Sequence, residues 1–239
     1  MEYHNEVIDE KNDNNYNRTF KFYKRLTNLD NRDVIDFGTA SSLPGKVKRI
    51  ALPELKPSNS KGSIIEKHLK PFDEWKAYAV KNALPGLIVI PGIIKEEYRT
   101  DWFDFFINQL LSTKTELQLK TNDFKDEEYL TKLRWITFGY HHNWSTRRYS
   151  LDQENVVIPD RIAKLCHHIN RFLDLQFQAE AGIVNYYTSK SSFCFHKDDC
   201  ELNHSAPILS LSFGSPALFL IGGLTKDSPT PIIPILLRD

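Results

Sequence analysis

Gly182-Ile-Val-Asn-Tyr-Tyr187, Ile208-Leu-Ser-Leu-Ser-Phe213, Ala217-Leu-Phe-Leu-Ile221 and Ile232-Ile-Pro-Ile-Leu-Leu237 are short apolar runs separated by Gly, Pro, Ser and Asp. In the second run Leu209, Leu211 and Phe213 alternate with Ser210 and Ser212, the period-2 signature of a strand with one buried face. The last third of the chain therefore reads as β. Upstream, Ile162, Leu165, Cys166, Ile169, Phe172 and Leu173 recur at spacings of three and four after Pro159-Asp160, which is expected to supply an N-cap. Tyr98, Trp102, Phe105, Phe106, Gln109 and Leu110 form a second helical stripe, with Asp101 and Asp104 opposite. Leu133–Gly139 and Leu87–Ile90 read as strands, the latter buried, and 113–126 as a polar loop. Helices followed by strands predict an α+β fold, with helices backing a sandwich or jelly roll.

The N-terminal part differs in character. Residues 1–18 are polar and Asn-rich and are expected to be disordered. Phe20–Arg25 is aromatic and basic, enough for one or two helical turns that dock on the domain. Residues 38–63 carry Pro44, Gly45, Pro53, Pro57 and Gly62 around the basic cluster Lys46-Val-Lys-Arg49, and read as a surface linker. The expected division is a tail and linker over 1–70 and a domain over 71–239, its compact part starting near Trp75.

The chain has 239 residues, 31 Lys+Arg against 31 Asp+Glu, 41% hydrophobic and 12% aromatic residues. That is ample for a packed core. Zero net charge excludes binding driven by bulk positive charge, while leaving room for a local basic stripe. Three cysteines (Cys166, Cys194, Cys200) are too few for a disulfide scaffold and read as small core or loop residues. Apolar runs such as Leu84–Ile94 are broken by Pro and Gly and too short to span a bilayer. The acidic N-terminus resembles neither a signal nor a transit peptide.

The chemistry centres on Asn185-Tyr-Tyr187 and His196-Lys-Asp198. On extended backbone a His and an Asp two residues apart share a face and can share a metal; one more His would complete a facial triad. Ala179–Tyr187, His196-Lys-Asp198, Pro207–Gly214 and Ala217–Gly223 together resemble the AlkB family of Fe(II)/2-oxoglutarate-dependent dioxygenases, nearest its eukaryotic homologue-1 branch. The resemblance extends to Leu133–Trp144, Trp75–Tyr78, Pro85-Gly86, Phe20–Tyr23 and Val34–Phe37. It implies a double-stranded β-helix (jelly roll) with flanking helices, and oxidative demethylation of bases in nucleic acid, DNA or tRNA. His196 and Asp198 are then catalytic iron ligands, and Asn185 and Tyr187 contacts to 2-oxoglutarate. Tyr140, Trp144, Arg147 and Arg148 lie where the family has a nucleotide-recognition lid, and their aromatic and basic character suits stacking on a flipped base and pairing with phosphate.

The family's third iron ligand and its 2-oxoglutarate-gripping Arg pair have no counterpart here. After Asp198 come only His204, expected in a turn, and Arg238. The expectation is a jelly roll incomplete at the C-terminus, a fragment or alternative form that is inactive and marginally folded. Two other readings stand beside the enzyme: a non-catalytic nucleic-acid binder, and a zinc module from Cys194, His196, Cys200 and His204. His167-His168 reads as a solvent-facing pair. The remaining expectations are a monomer with no membrane partner, in nucleus or cytoplasm, the mitochondrion also being open.

Overall fold

The computed structural model describes residues 14–26, 33–38, 45–51, 64–112, 116–117, 129–154, 156–175, 177–189, 191–225 and 228–238. In chain order the elements are α1 (Asn15–Arg25), β1 (Ile35–Asp36), β2 (Val47–Ile50), α2 (Ile64–His68), β3 (Ala77–Val80), α3 (Glu96–Asp104), β4 (Glu116–Leu117), α4 (Tyr129–Lys132), β5 (Trp135–Gly139), β6 (His142–Asn143), β7 (Arg148–Tyr149), α5 (Asp160–Leu173), β8 (Ala181–Asn185), β9 (Ala217–Ile221) and β10 (Ile233–Leu237). The architecture mixes helices with small sheets, ordered β1-β10-β9, β2-β3, β4-β5-β8 and β6-β7.

The main core lies between the helices and the β4-β5-β8 sheet. α5 buries Ile162, Leu165, Cys166, Ile169 and Phe172, as its periodicity requires, and ends at Asp174 in the left-handed conformation. Its N-cap differs from expectation. Pro159 occupies the cap and offers no side-chain bond, while Asp160 lies inside the first turn and pairs with Lys164 at 2.6 Å. α3 buries Trp102 and runs on through a π turn over Phe105–Gln109. Trp102, Leu165 and Ile136 of β5 join one cluster, fully shielded from solvent. Near Arg161, His68 of α2 stacks on Tyr98 at 4.2 Å.

A second, smaller core gathers Ile35, Phe37, Val47, Val80, Leu84 and Ile235. It corrects the linker expectation. Val47–Ile50 pairs antiparallel with β3, and β1 runs parallel to β10 with Ile35 opposite Ile235. Composition misled here because Lys48 and Arg49 of β2 are exposed while Val47 alone faces inward. Compact structure therefore begins well before Trp75. Arg238 secures the β1–β10 pairing by donating to both oxygens of Asp36.

Residues 1–13 of the expected tail lie outside the described residues, but α1 starts inside it. Asn14 caps the helix by accepting from Asn17 N–H at 2.9 Å, and Tyr16 is buried. Leu87–Ile90 is not a buried strand: a bridge between Val89 and Tyr78 is its ladder contact, and Ile88 is exposed. Ile208–Phe213 keeps the expected alternation without forming a strand. Leu209, Leu211 and Phe213 pack on the main core, Phe213 stacking 6.0 Å from Trp102, but no ladder joins them. Glu116–Leu117 pairs with β5 inside the expected polar loop, much of which lies outside the described residues. His168 does not face solvent. It packs edge-on against Phe172 at 4.2 Å and stands 3.7 Å from Glu66.

Candidate metal and nucleic-acid site

β8 is positioned by β5, whose Trp135 and Thr137 stand opposite Asn185 and Ile183. Cross-strand partners share a face. Val184 and Tyr186 point into the main core, and Tyr186 O–H donates to the Phe106 carbonyl at 2.6 Å. The strand period then places Ile183, Asn185 and Tyr187 on the opposite, open face, where Tyr187 is 58% exposed.

After β8 the chain joins no helix or strand ladder through 191–200. Local contacts set its course. Phe195 is held edge-on by the Tyr16 ring of α1 at 4.8 Å. His196 Nδ1 donates to the Cys194 carbonyl at 3.0 Å, which leaves Nε2 as the nitrogen turned away from the backbone. Nε2 faces Asp198 Oδ1 at 3.5 Å, and both side chains are about half exposed. An imidazole nitrogen and a carboxylate thus converge from one short segment, and this donor chemistry suits two positions of an Fe(II) set. Among the described residues no group of three His, Cys, Asp or Glu gathers to hold a metal. That observation leaves the zinc reading without support, and Cys200 Sγ instead lies 3.8 Å from Asp199 Oδ1.

The Tyr140–Tyr149 segment is a hairpin made of β6 and β7. Asn143 Oδ1 accepts from the backbone N–H of Ser145 and Thr146, both at 3.0 Å, and so shapes the turn. Trp144 packs against Trp135 of β5 at 5.2 Å and against His142 at 4.6 Å. Tyr140 is anchored by its backbone N–H to the Glu180 carbonyl, and Arg148 is exposed.

The hairpin is fastened to the His196–Asp198 segment. Arg147, at φ 54°, sends Nη2 to Asp199 Oδ1 at 3.1 Å. Burial, then the nearby carboxylates of Glu201 and Asp198, push the Tyr149 phenol up to about 12. Beneath the hairpin, Trp135 Nε1, His142 Nδ1, Trp144 Nε1 and Glu201 Oε2 are buried with no hydrogen-bond partner among the described residues. Asp199 and Glu201 were not singled out in the sequence; the legible signal was the opposition of Asp198-Asp199 and Glu201 to Arg147-Arg148. The structure therefore brings His196 to Asp198, and Arg147 and Tyr149 to the same segment. It places Asn185 and Tyr187 together on the open face of β8.

Comparison with known proteins supplies the remaining step. A profile of the 2OG-Fe(II) oxygenase superfamily matches residues 86–239. The human nucleic acid dioxygenase ALKBH1 is 31% identical over 255 residues, covering 94% of this chain and 65% of the human protein. Its mouse counterpart is 33% identical over 250 residues, covering 90% of this chain and 63% of the mouse protein. A fission yeast (Schizosaccharomyces pombe) tRNA demethylase, abh1, is 34% identical over 95 residues, 38% of this chain and 31% of the yeast protein. The chain thus spans somewhat less than two thirds of the two mammalian relatives. Fe(II) and 2-oxoglutarate are the metal and cosubstrate that this family implies, and the His196–Asp198 pair fits part of that donor set. With the profile spanning more than half of its length, the chain belongs to the 2OG-Fe(II) oxygenase superfamily.

Proposed function

We propose that the protein is an Fe(II)/2-oxoglutarate-dependent dioxygenase that oxidatively demethylates bases in DNA or tRNA. The observation that carries this reading is the fastening of an aromatic and basic hairpin to the segment bearing His196 and Asp198. Relatives whose names describe a nucleic acid dioxygenase and a tRNA demethylase support it. When bound, Fe(II) would let dioxygen, the oxidant, hydroxylate a base methyl group while 2-oxoglutarate is oxidised to succinate and carbon dioxide.

This chain's residues would do the rest. His196 and Asp198 hold the metal, His196 being fixed in the right tautomer by the Cys194 carbonyl. Asn185 offers an amide and Tyr187 a phenol for the carboxylates of 2-oxoglutarate. Tyr140 and Trp144 provide ring faces for an extruded base, and Arg147 and Arg148 meet the flanking phosphates. The finer fold we infer is a double-stranded β-helix to which β5, β8, β9 and β10 belong, with Leu209, Leu211 and Phe213 packed against its core. We further infer a monomer.

Manganese(II) titration followed by the electron paramagnetic resonance signal of free metal tests the site directly. Wild type should remove manganese from solution, more so with 2-oxoglutarate present, and His196→Ala and Asp198→Ala should not. Equal manganese uptake by wild type and both variants would refute the assignment. Formaldehyde release from a methylated oligonucleotide, dependent on both residues, would establish turnover.

A further inference from the structure

We propose that Asp199 stands in for a substrate phosphate: its carboxylate holds the Arg147 guanidinium until a phosphodiester of bound nucleic acid takes its place. The proposal rests on the nucleic-acid reading of the hairpin and adds to it a residue that gates binding.

Arg147 sits at the tip of the β6–β7 hairpin in the left-handed region, φ 54°, an uncommon conformation for a residue with a Cβ. The Asn143 side chain, accepting from Ser145 and Thr146, holds the turn that imposes it. The result is a guanidinium aimed across to the neighbouring segment. There, among the described residues, it makes one hydrogen bond, Nη2 to Asp199 Oδ1 at 3.1 Å. Fork-to-fork pairing would use two N–H groups, so the remaining donors stay open to a second oxyanion. The two side chains are 69% and 41% exposed. An ion pair so wet is weak and exchanges readily, whereas a buried one would lock the arginine away. A phosphodiester presents the same kind of anionic oxygen to the same fork, with tighter complementarity.

The placement of Asp199 matters as much as its charge. It follows Asp198 directly, so the bond that holds Arg147 also tethers the metal-binding segment to the hairpin. Exchange of carboxylate for phosphate would release that tether when substrate arrives. It would also move a negative charge out of the path of the incoming backbone.

The test measures binding by the full chain, read by fluorescence anisotropy with a fluorescein-labelled single-stranded oligothymidylate at low salt. Breaking an exposed pair of this kind is worth about a two- to fivefold change in affinity. Asp199→Asn should therefore bind about two- to fivefold more tightly than wild type, and Asp199→Glu, which keeps the charge, should stay near wild type. Loss of a negative charge alone could tighten binding without any exchange, so the deciding comparison is made in the Arg147→Ala background. There Asp199→Asn should give no further gain. An equal gain in both backgrounds, or none in either, overturns the exchange. Absence of any binding by wild type and every variant would instead refute the nucleic-acid reading, and the exchange with it.

Discussion

Arg161 ties three helices together, and its replacement by methionine tests whether that hub is built around a neutral histidine. Its Nη2 lies 3.1 Å from His68 Nδ1 on α2 and pairs with the Asp101 carboxylate on α3, while the guanidinium sits 4.2 Å from the Trp102 ring centroid. Arginine only donates, so His68 Nδ1 must accept and the ring is neutral. Burial first, then the Arg161 charge, hold the His68 pKa below the ordinary histidine value, against the opposing pull of Asp101. A depressed histidine pKa contributes stability that is complete above the unfolded value of ~6.5 and lost as pH falls below it.

Arg161→Met keeps most of the apolar stem and removes the cation. At about pH 8 the expected loss is ~2–3 kcal/mol, from the bond to His68 and the partly desolvated contact with Trp102. The Asp101 pair adds little, because that carboxylate is 47% exposed. In acid the variant behaves differently. With no guanidinium beside it, His68 Nδ1 can take up a proton and pair with Asp101 Oδ2, 3.8 Å away. Its folded-state pKa then moves up from its depressed value, burial and Lys95 still opposing Asp101, so the variant loses less stability to protonation in acid than wild type does. The cost of the substitution should therefore shrink by ~1 kcal/mol between about pH 8 and about pH 5.5. Urea unfolding of wild type and variant at both pH values, followed by tryptophan fluorescence, measures it, since other titrating groups cancel in the difference. A cost that stays constant, or grows in acid, refutes the neutral-histidine hub.

Two further outcomes follow from packing. Phe138 of β5 stands opposite Gly182 of β8, and a Cβ built on that glycine would stand 2.2 Å from Cζ and 2.3 Å from Cε2 of the Phe138 ring. Gly182→Ala should cost ~2–3 kcal/mol by overpacking and lower Tm; an unchanged Tm would show that the ring does not lie there. Cys166 is buried on α5, and burial pushes its thiol up to about 11. Iodoacetamide at about pH 8 should therefore modify exposed Cys194 and spare Cys166 until denaturant is added, as peptide mass spectrometry would report. Early alkylation of Cys166 would contradict its position.

What could be read from the sequence was what is encoded locally. α5 was legible because it carries its burial in its own periodicity, Ile162 to Phe172, and β5 from its apolar alternation, although Thr137 is buried beside Ile136 and Phe138. Ile208–Phe213 shows the limit of that logic. Alternation specifies a buried face, which Leu209, Leu211 and Phe213 do turn to the core, but it does not specify a ladder partner. β2 was hidden because a two-sided edge strand with exposed Lys48 and Arg49 has the composition of a linker. His168 looked solvent-facing because two of the groups that cover it, Trp75 and Glu66, are far away in sequence. The site divides the same way. His196 and Asp198 meet two residues apart in one short segment, whereas Arg147 and Asp199 meet across 52 residues.

The nonlocal contacts also decide how charge near the site should be counted. Zero net charge leaves any pull on nucleic acid to local cations, and the hairpin offers Arg147 and Arg148. Arg147 is already partnered by Asp199, so before substrate arrives it contributes a dipole rather than a free charge. The 191–200 segment lacks ladder bonds, and its conformation rests on Tyr16 against Phe195, the Cys194 carbonyl on His196, and Arg147 on Asp199. The first two are local or apolar and insensitive to salt; the third is an exposed ion pair that salt weakens. Salt therefore acts on the hairpin in opposing directions. It screens phosphate attraction at Arg148, while at Arg147 it weakens the competing Asp199 along with the phosphate. The affinity of wild type should fall less steeply with salt than that of Asp199→Asn, in which Arg147 meets phosphate without competition.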